Sequence, residues 1–233
     1  MGVIYLVRHG QASFGADDYD QLSPLGQEQA KRLGEWINDC GLTISAIATG
    51  TLKRHLQSAA ACSAACPIQE PLRWQEDAGF NEFDHHEVLV RHSPEFAEAG
   101  RLTEFLARDS NPRRAFQQIF SQAVARWTGG KHDGEYAESF AAFRKRVWTA
   151  LRQLVDAPGT APEVWVFTSG GTISAIVQEL LAIPDERIFE LNWTLVNTGV
   201  TKLLHRPGKL NLSYVNSQAH LERLQRPDLI TYR

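Results

Sequence analysis

Cysteine is scarce in this chain, at three among 233 residues, and methionine occurs once. Cys40, Cys62 and Cys66 form an odd, sparse set that offers no disulfide framework and suits the reduced thiols of a cytoplasm. Cys62 and Cys66 stand four apart on an expected helix, with no further ligands beside them. They read as two small buried residues rather than a metal site. No charge of one sign dominates. The net charge is −3 and the pI about 6.2, so nothing basic calls for nucleic acid or an anionic membrane. The longest apolar runs are strand-length, too short to cross a membrane as a helix. The amino terminus lacks the basic region, long apolar stretch and small-residue cleavage site of a signal peptide. Leu6 stands where N-myristoylation needs Ser or Thr. There is no internal repeat and no low-complexity segment. The expectation is a cytoplasmic protein with no nucleic-acid or membrane partner.

What is present is enough apolar material, 43% of the residues, for one full core or one domain with a large insertion. Val3–Arg8 is an apolar, mostly β-branched or aromatic run, the mark of a buried strand. A polar loop, Gln11 to Gln21, follows. Ser23-Pro24 opens a helix, with Ser as cap and Pro at the first helical position. Leu25, Ala30, Leu33, Trp36 and Ile37 recur along it at helical spacing, and Gly41 follows its end. Ile44–Thr49 is a second strand, Leu52 to about Cys66 a second helix, and Ile68–Glu70 a candidate third strand. This βαβαβ order implies a parallel sheet with helices on its faces. From about 87 to 155 only helical periodicity remains, in Pro94–Ala107, Arg113–Trp127 and Ser139–Val155. Sheet pattern returns with Val164–Thr168, then Ser169-Gly170-Gly171 and a helix over Ile173–Leu181. Thr198–His205 and Leu210–Val215 flank Pro207-Gly208 as a hairpin-type pair. The expected fold is a single α/β domain over 1–233. It is a three-layer α/β/α sandwich with a mostly parallel central sheet and a helical insertion at about 87–155.

The first strand ends abruptly in Arg8-His9-Gly10. In open α/β sheets the carboxyl edge of the strands is where ligands bind. Arg8 offers a planar fork of donors suited to phosphate, and His9 a nucleophile or base that works near neutral pH. The second strand brings Thr49 to the same edge, with Arg54 in the helix that follows. The fourth brings Ser169 and two glycines at a helix start. Helix N-termini add unpaired N–H groups and partial positive charge. Two guanidiniums, two helix N-termini, a hydroxyl and a glycine turn make an anion site. A histidine among them makes it a candidate for phosphoryl transfer. Taken singly, each has a plainer reading: a solvated strand end for Arg8-His9, an exposed helix cation for Arg54.

These residues resemble the histidine phosphatase superfamily, which includes the cofactor-dependent phosphoglycerate mutases. Arg8-His9-Gly10 after an N-terminal apolar strand is its defining motif. Leu22-Ser23-Pro24-Leu25-Gly26 resembles its Leu-Thr-x-x-Gly helix start. Lys53-Arg54-His55-Leu56-Gln57-Ser58-Ala59 resembles its Arg-Ala-x-Gln-Thr-Ala segment. Glu82 sits where the family keeps its acid, Glu138-Ser139 followed by Arg146 resembles a helix start in the inserted region, and Asn197-Thr198-Gly199 resembles a segment before a late strand. The resemblance implies a phosphomonoester hydrolase on a small phosphorylated substrate, with a phosphohistidine at His9. Arg8 and Arg54 would clamp the equatorial oxygens, and Glu82 would protonate the leaving oxygen and later help deprotonate water. Ser169, Gly170 and Ser13 join Arg8 and Arg54 as substrate-binding candidates. No metal and no cofactor are implied, because the guanidiniums supply the positive field.

One position departs from the family, which normally has His-Gly after the Val164–Thr168 strand; here Ser169-Gly170 stands. A charged hydrogen bond is worth roughly 1.5–3 kcal/mol and a neutral one about 0.5–1.5. Losing about 1–2 kcal/mol at the transition state costs roughly 5- to 30-fold in rate. His55, His85, His86 and His205 are spare histidines available to substitute. The departure keeps open a catalytically weak or inactive phosphate-binding protein on the same fold, and a phosphoglycerate-mutase-type phosphotransferase is a further alternative. A serine hydrolase is the remaining rival, with Ser169 on a nucleophile elbow and His205 or His220 as its base. Phe167 occupies the place where that elbow has glycine.

Overall fold

A computed structural model of the chain describes residues 2–13, 20–157 and 163–232. It contains β1 (Gly2–Arg8), α1 (Pro24–Asp39), β2 (Ile44–Thr49), α2 (Lys53–Ser63), β3 (Ile68–Glu76), α3 (His85–His92), α4 (Arg101–Ala107), α5 (Pro112–Thr128) and α6 (Phe140–Asp156). After these come β4 (Glu163–Thr168), α7 (Gly170–Leu181), α8 (Ile188–Asn192), β5 (Val200–Arg206), β6 (Lys209–Ser217) and α9 (Ala219–Glu222). The strands form one sheet in the order β3-β2-β4-β1-β5-β6. β3, β2, β4 and β1 are mutually parallel, and β5 pairs antiparallel with both β1 and β6. The fold is the mostly parallel α/β arrangement that the strand-helix alternation predicts.

Two compact units divide the chain. One comprises Met1–Glu82, Val147–Ile183 and Ile188–Arg233, and the other Phe83–Arg146 and Pro184–Arg187. In the first, the central strands β1, β2 and β4 are buried on both faces. Tyr5, Val7, Trp165 and Phe167 join Leu33, Ile37, Ala59 and Cys62 of α1 and α2 in one cluster. The alternate residues Ile4, Leu6, Val164 and Val166 are as deeply buried on the opposite face, where α7 packs against β1. In the second unit, Trp127 is the hub: its ring lies 4.6 Å from Phe83 and 5.0 Å from Phe140. Glu138 accepts two hydrogen bonds from Arg146, at 2.7 and 2.8 Å, and the guanidinium lies over the Phe143 ring.

Several boundaries differ from the sequence reading for local reasons. Pro94–Ala107 is not one helix. Gly100, at φ 86°, breaks it into a single 3-10 turn and α4. β3 runs on to Glu76, but as an edge strand it is exposed along almost its whole length and carries no apolar alternation. α3 and α8 have no counterpart in that reading, and α7 starts at Gly170 rather than Ile173.

α1 begins as the sequence implies: Ser23 Oγ accepts from the Gly26 N–H and Pro24 fills the first turn. Gly26 has a second role. A Cβ there would stand 2.2 Å from the Gln11 carbonyl oxygen, and a Cβ on Gly10 would stand 2.3 Å from the Gly26 carbonyl oxygen. The helix start and the end of β1 therefore touch backbone to backbone, which fixes where β1 delivers its last residues. Gly26→Ala is expected to destabilise the protein by about 1–3 kcal/mol and lower Tm by ~2–4 °C for each of these. Gly134→Ala, whose Cβ meets nothing within 4 Å, is expected to stay within about 0.5 kcal/mol. Equal melting temperatures for the two variants contradict the close-contact account.

Candidate active site

The parallel register aligns the strand ends. Arg8 pairs with Thr168 and Thr49 with Phe167, so β1, β2 and β4 finish at one edge. The backbone after β1 is gripped from several sides. The His9 N–H donates to the Thr168 carbonyl (2.8 Å), the Thr198 N–H to the Arg8 carbonyl (3.0 Å) and Asn197 Nδ2 to the His9 carbonyl (3.0 Å). The Gly10 N–H donates to Ser58 Oγ (3.0 Å), and Ser58 in turn donates to the Arg54 carbonyl (2.6 Å). Gln57 Oε1 accepts from the Leu22 N–H at 2.8 Å. The polar residues of the Arg54–Ala59 and Asn197–Gly199 segments thus hold the histidine turn in place.

His9 is 6% exposed, and its Nδ1 lies 2.7 Å from the Gly10 carbonyl oxygen. A carbonyl only accepts, so Nδ1 carries the proton and the neutral ring keeps its lone pair on Nε2. Burial holds the His9 pKa well below the ordinary histidine value, and the charges of Arg54 and Arg8 and the His55 ring add to the effect. The Gly10 carbonyl works against this, more weakly.

Arg54, also 6% exposed, lies in the first turn of α2 and bonds through Nη1 to Asp20 Oδ1 at 2.6 Å. Asp20 Oδ2 also accepts from the Lys53 N–H at 2.9 Å. Leu52, at the cap position, has no side-chain oxygen, so Asp20 supplies the cap and holds the guanidinium at once. Sequence reasoning missed Asp20 because it sits in an aperiodic polar loop. Arg8 Nη1 donates to the Leu195 carbonyl. A Cβ on Gly170 would stand 3.6 Å from Arg8 Nε and 2.7 Å from Asn192 Oδ1. Glycine there leaves room for both side chains.

Glu82 reaches the start of α7, where its Oε2 accepts from the Gly171 N–H at 3.0 Å. Its segment is pinned by Thr168 Oγ1 donating to the Phe80 carbonyl (2.5 Å) and Thr172 Oγ1 donating to the Asn81 carbonyl (3.1 Å). Ser169 is fully buried, with Oγ 2.6 Å from His55 Nε2. The His55 ring is 5.7 Å from that of His9. Of the four spare histidines, His55 is therefore the one set against Ser169. His85 and His86 are exposed on α3, and His205 lies beside Gly2 at the other end of the β1–β5 pairing. His220 bonds to Thr198. Neither His205 nor His220 supplies the base that a serine hydrolase would need. Ser13 donates its N–H to the Gln21 carbonyl (2.8 Å). Residues 14–19 of its loop lie outside the described residues. Among the described residues, no group of three or more His, Cys, Asp or Glu is placed to hold a metal ion.

The family model described as histidine phosphatase superfamily (branch 1) matches residues 4–218. The chain belongs to this superfamily. Solved structures of similar fold include phosphoglycerate mutase from Bacillus anthracis, at 15% identity and TM-score 0.65, with 96% of each chain covered. A mutant phosphoserine phosphatase from Entamoeba histolytica in complex with phosphoserine is 20% identical at TM-score 0.58, covering 95% of this chain and 100% of that one. A mycobacterial glucosyl-3-phosphoglycerate phosphatase in complex with inorganic phosphate is 19% identical at TM-score 0.60, with 95% and 100% covered. No curated protein matches the sequence.

In this histidine phosphatase superfamily chain, the Thr198 corner that holds Arg8 rests on His220. Thr198 Oγ1 donates to the Asn197 carbonyl (2.6 Å), so it accepts from His220 Nε2–H at 2.8 Å. Burial, then Arg223, pushes the His220 pKa down to about 3. The unfolded chain binds a proton near pH 6.5 that the folded chain refuses until about pH 3. Stability from this residue is full above pH 6.5 and falls as pH drops through that window. Between pH 6 and 4, urea unfolding is expected to show the native protein losing about 1.4 kcal/mol per pH unit more than His220→Gln. Parallel pH profiles contradict this.

Proposed function

We propose that the protein is a cytoplasmic, metal-independent phosphomonoester hydrolase that works through a phosphohistidine on His9. The observation that carries this reading is the His9 tautomer: a neutral ring with Nδ1 tied to the Gly10 carbonyl, Nε2 bare, and the Arg8 and Arg54 charges beside it. Nε2 attacks phosphorus as the ester P–O bond breaks. Glu82, protonated on its carboxyl, gives that proton to the leaving oxygen. A water then attacks the phosphohistidine, Glu82 takes a water proton, and inorganic phosphate leaves as the P–N bond breaks. Arg8 and Arg54 balance the charge on the phosphoryl oxygens throughout. Ser169 and Gly170 follow β4 at the same sheet edge. A small phosphorylated substrate fits the reading, since phosphoserine and glucosyl-3-phosphoglycerate name the phosphatases of similar fold.

A second reading has one observation in its favour. Ser169 Oγ lies 2.6 Å from His55 Nε2, the spacing of a nucleophile and base in an acyl hydrolase. Two others oppose it. Among the described residues His55 Nδ1 has no hydrogen-bond partner, so none of them orients the ring as an acid does in a triad. The Glu82 carboxylate takes the Gly171 N–H at the helix start, where an oxyanion would need donors.

Turnover of an aryl phosphate separates these. His9→Ala is expected to lose about 10³-fold or more, and Glu82→Gln ~10²–10⁴-fold. Activity is expected to survive EDTA, and aryl acyl esters are expected to be inert. Full turnover by His9→Ala, or its abolition by chelator, overturns the proposal.

A further inference from the structure

His55 has a place in the site that its helical surroundings do not explain. It is fully buried and follows Arg54 in the first turn of α2, with its Nε2 against Ser169 Oγ at 2.6 Å. Its other ring nitrogen, Nδ1, is buried and makes no hydrogen bond among the described residues. Were Nδ1 protonated, the ring would bury an N–H with no acceptor, which is costly. A bare lone pair there costs less. The proton therefore sits on Nε2, and His55 donates to Ser169.

Ser169 is equally distinctive. It is the cap residue of α7, a position where serine ordinarily accepts from a helix N–H, yet its side chain makes no such bond. Glu82 Oε2 takes the Gly171 N–H instead. The Ser169 hydroxyl is left to accept from His55, and a hydroxyl that accepts one hydrogen bond keeps its own proton to donate elsewhere. The His9 ring, 5.7 Å from that of His55, marks what lies beside the pair.

We propose that His55 and Ser169 act as one unit, in which His55 Nε2–H fixes the Ser169 hydroxyl so that its proton is donated to an oxygen of the phosphoryl group at His9. His55 is a positioning residue in this scheme, and Ser169 is the group that touches the substrate. The burial that keeps the His55 pKa well below the ordinary value, aided by Arg54, maintains the single-proton ring that the scheme needs. The His55 ring occupies the space next to the Ser169 hydroxyl. The inference deepens the phosphoryl-transfer reading of the site and rests on it.

The test is a double-mutant cycle read by orthovanadate affinity, with inorganic phosphate as the comparison. Ser169→Ala is expected to weaken vanadate binding about 10- to 100-fold, the loss of one hydrogen bond to a charged group. His55→Ala is expected to cost the same in the native background and nothing further once Ser169 is Ala. His55→Gln keeps a donor in place of Nε2. It is expected to recover most of the affinity, and it keeps the test decisive if the alanine variant folds poorly. Nitrogen-15 NMR of the native protein is expected to show His55 protonated at Nε2 alone. Additive losses, no loss in Ser169→Ala, or a proton on Nδ1 overturns the unit. Aryl phosphate turnover is measured alongside. If turnover is absent while the vanadate cycle holds, hydrolysis is the reading that falls and the His55–Ser169 unit stands.

Discussion

The hydrogen bond between His9 Nδ1 and the Gly10 carbonyl decides which nitrogen of the ring is free to react. Much of the surrounding structure serves to keep that bond where it is. Gly10 stays in place because Gly26 brings the α1 backbone against it, and any side chain at either position would force them apart. The His9 carbonyl is held by Asn197, and the Arg8 carbonyl by the Thr198 N–H. Ser58 joins the same turn to the start of α2. These ties come from three separate stretches of chain, so the position of His9 is a property of the whole sheet edge.

Charge at that edge follows the same economy. Arg54 would be a costly buried cation if left alone, and Asp20 balances it while capping α2. The site thus keeps a positive field for an oxyanion without scattering unpaired charge through the core. Burial and two neighbouring guanidiniums favour the neutral form of His9. The two guanidiniums at this edge therefore also help to keep His9 unprotonated. Glu82 stands at the start of α7, where its Oε2 takes the Gly171 N–H.

How much of this was legible depends on whether the signal was local. β1, β2 and β4 declare themselves because each is a buried parallel strand with an unbroken apolar run. α1 declares itself through Ser23-Pro24. α3 carried a readable mark that passed unused: Asp84 accepts from the Glu87 N–H, a cap with an acid three residues on. β3 was cut short because an exposed edge strand has no buried face to pattern it. Arg8, His9, Arg54 and Ser169 stood out because strand ends and helix starts can be ordered from sequence alone, whereas Glu82 came only from the family resemblance. The partnership of His55 with Ser169 could not be read that way, since 114 positions separate them and only the sheet brings them together. Asp20 was hidden for the same reason, in a loop with no periodicity.

The central claim is that His9 receives the phosphoryl group. The most direct measurement is an alkaline rapid quench of the native protein during turnover of an aryl phosphate, followed by peptide mapping. The account predicts a base-stable, acid-labile phosphate on His9, attached at Nε2, which forms and decays fast enough to be an intermediate. Steady turnover with His9 unmodified, or with the phosphate on another side chain, would contradict it.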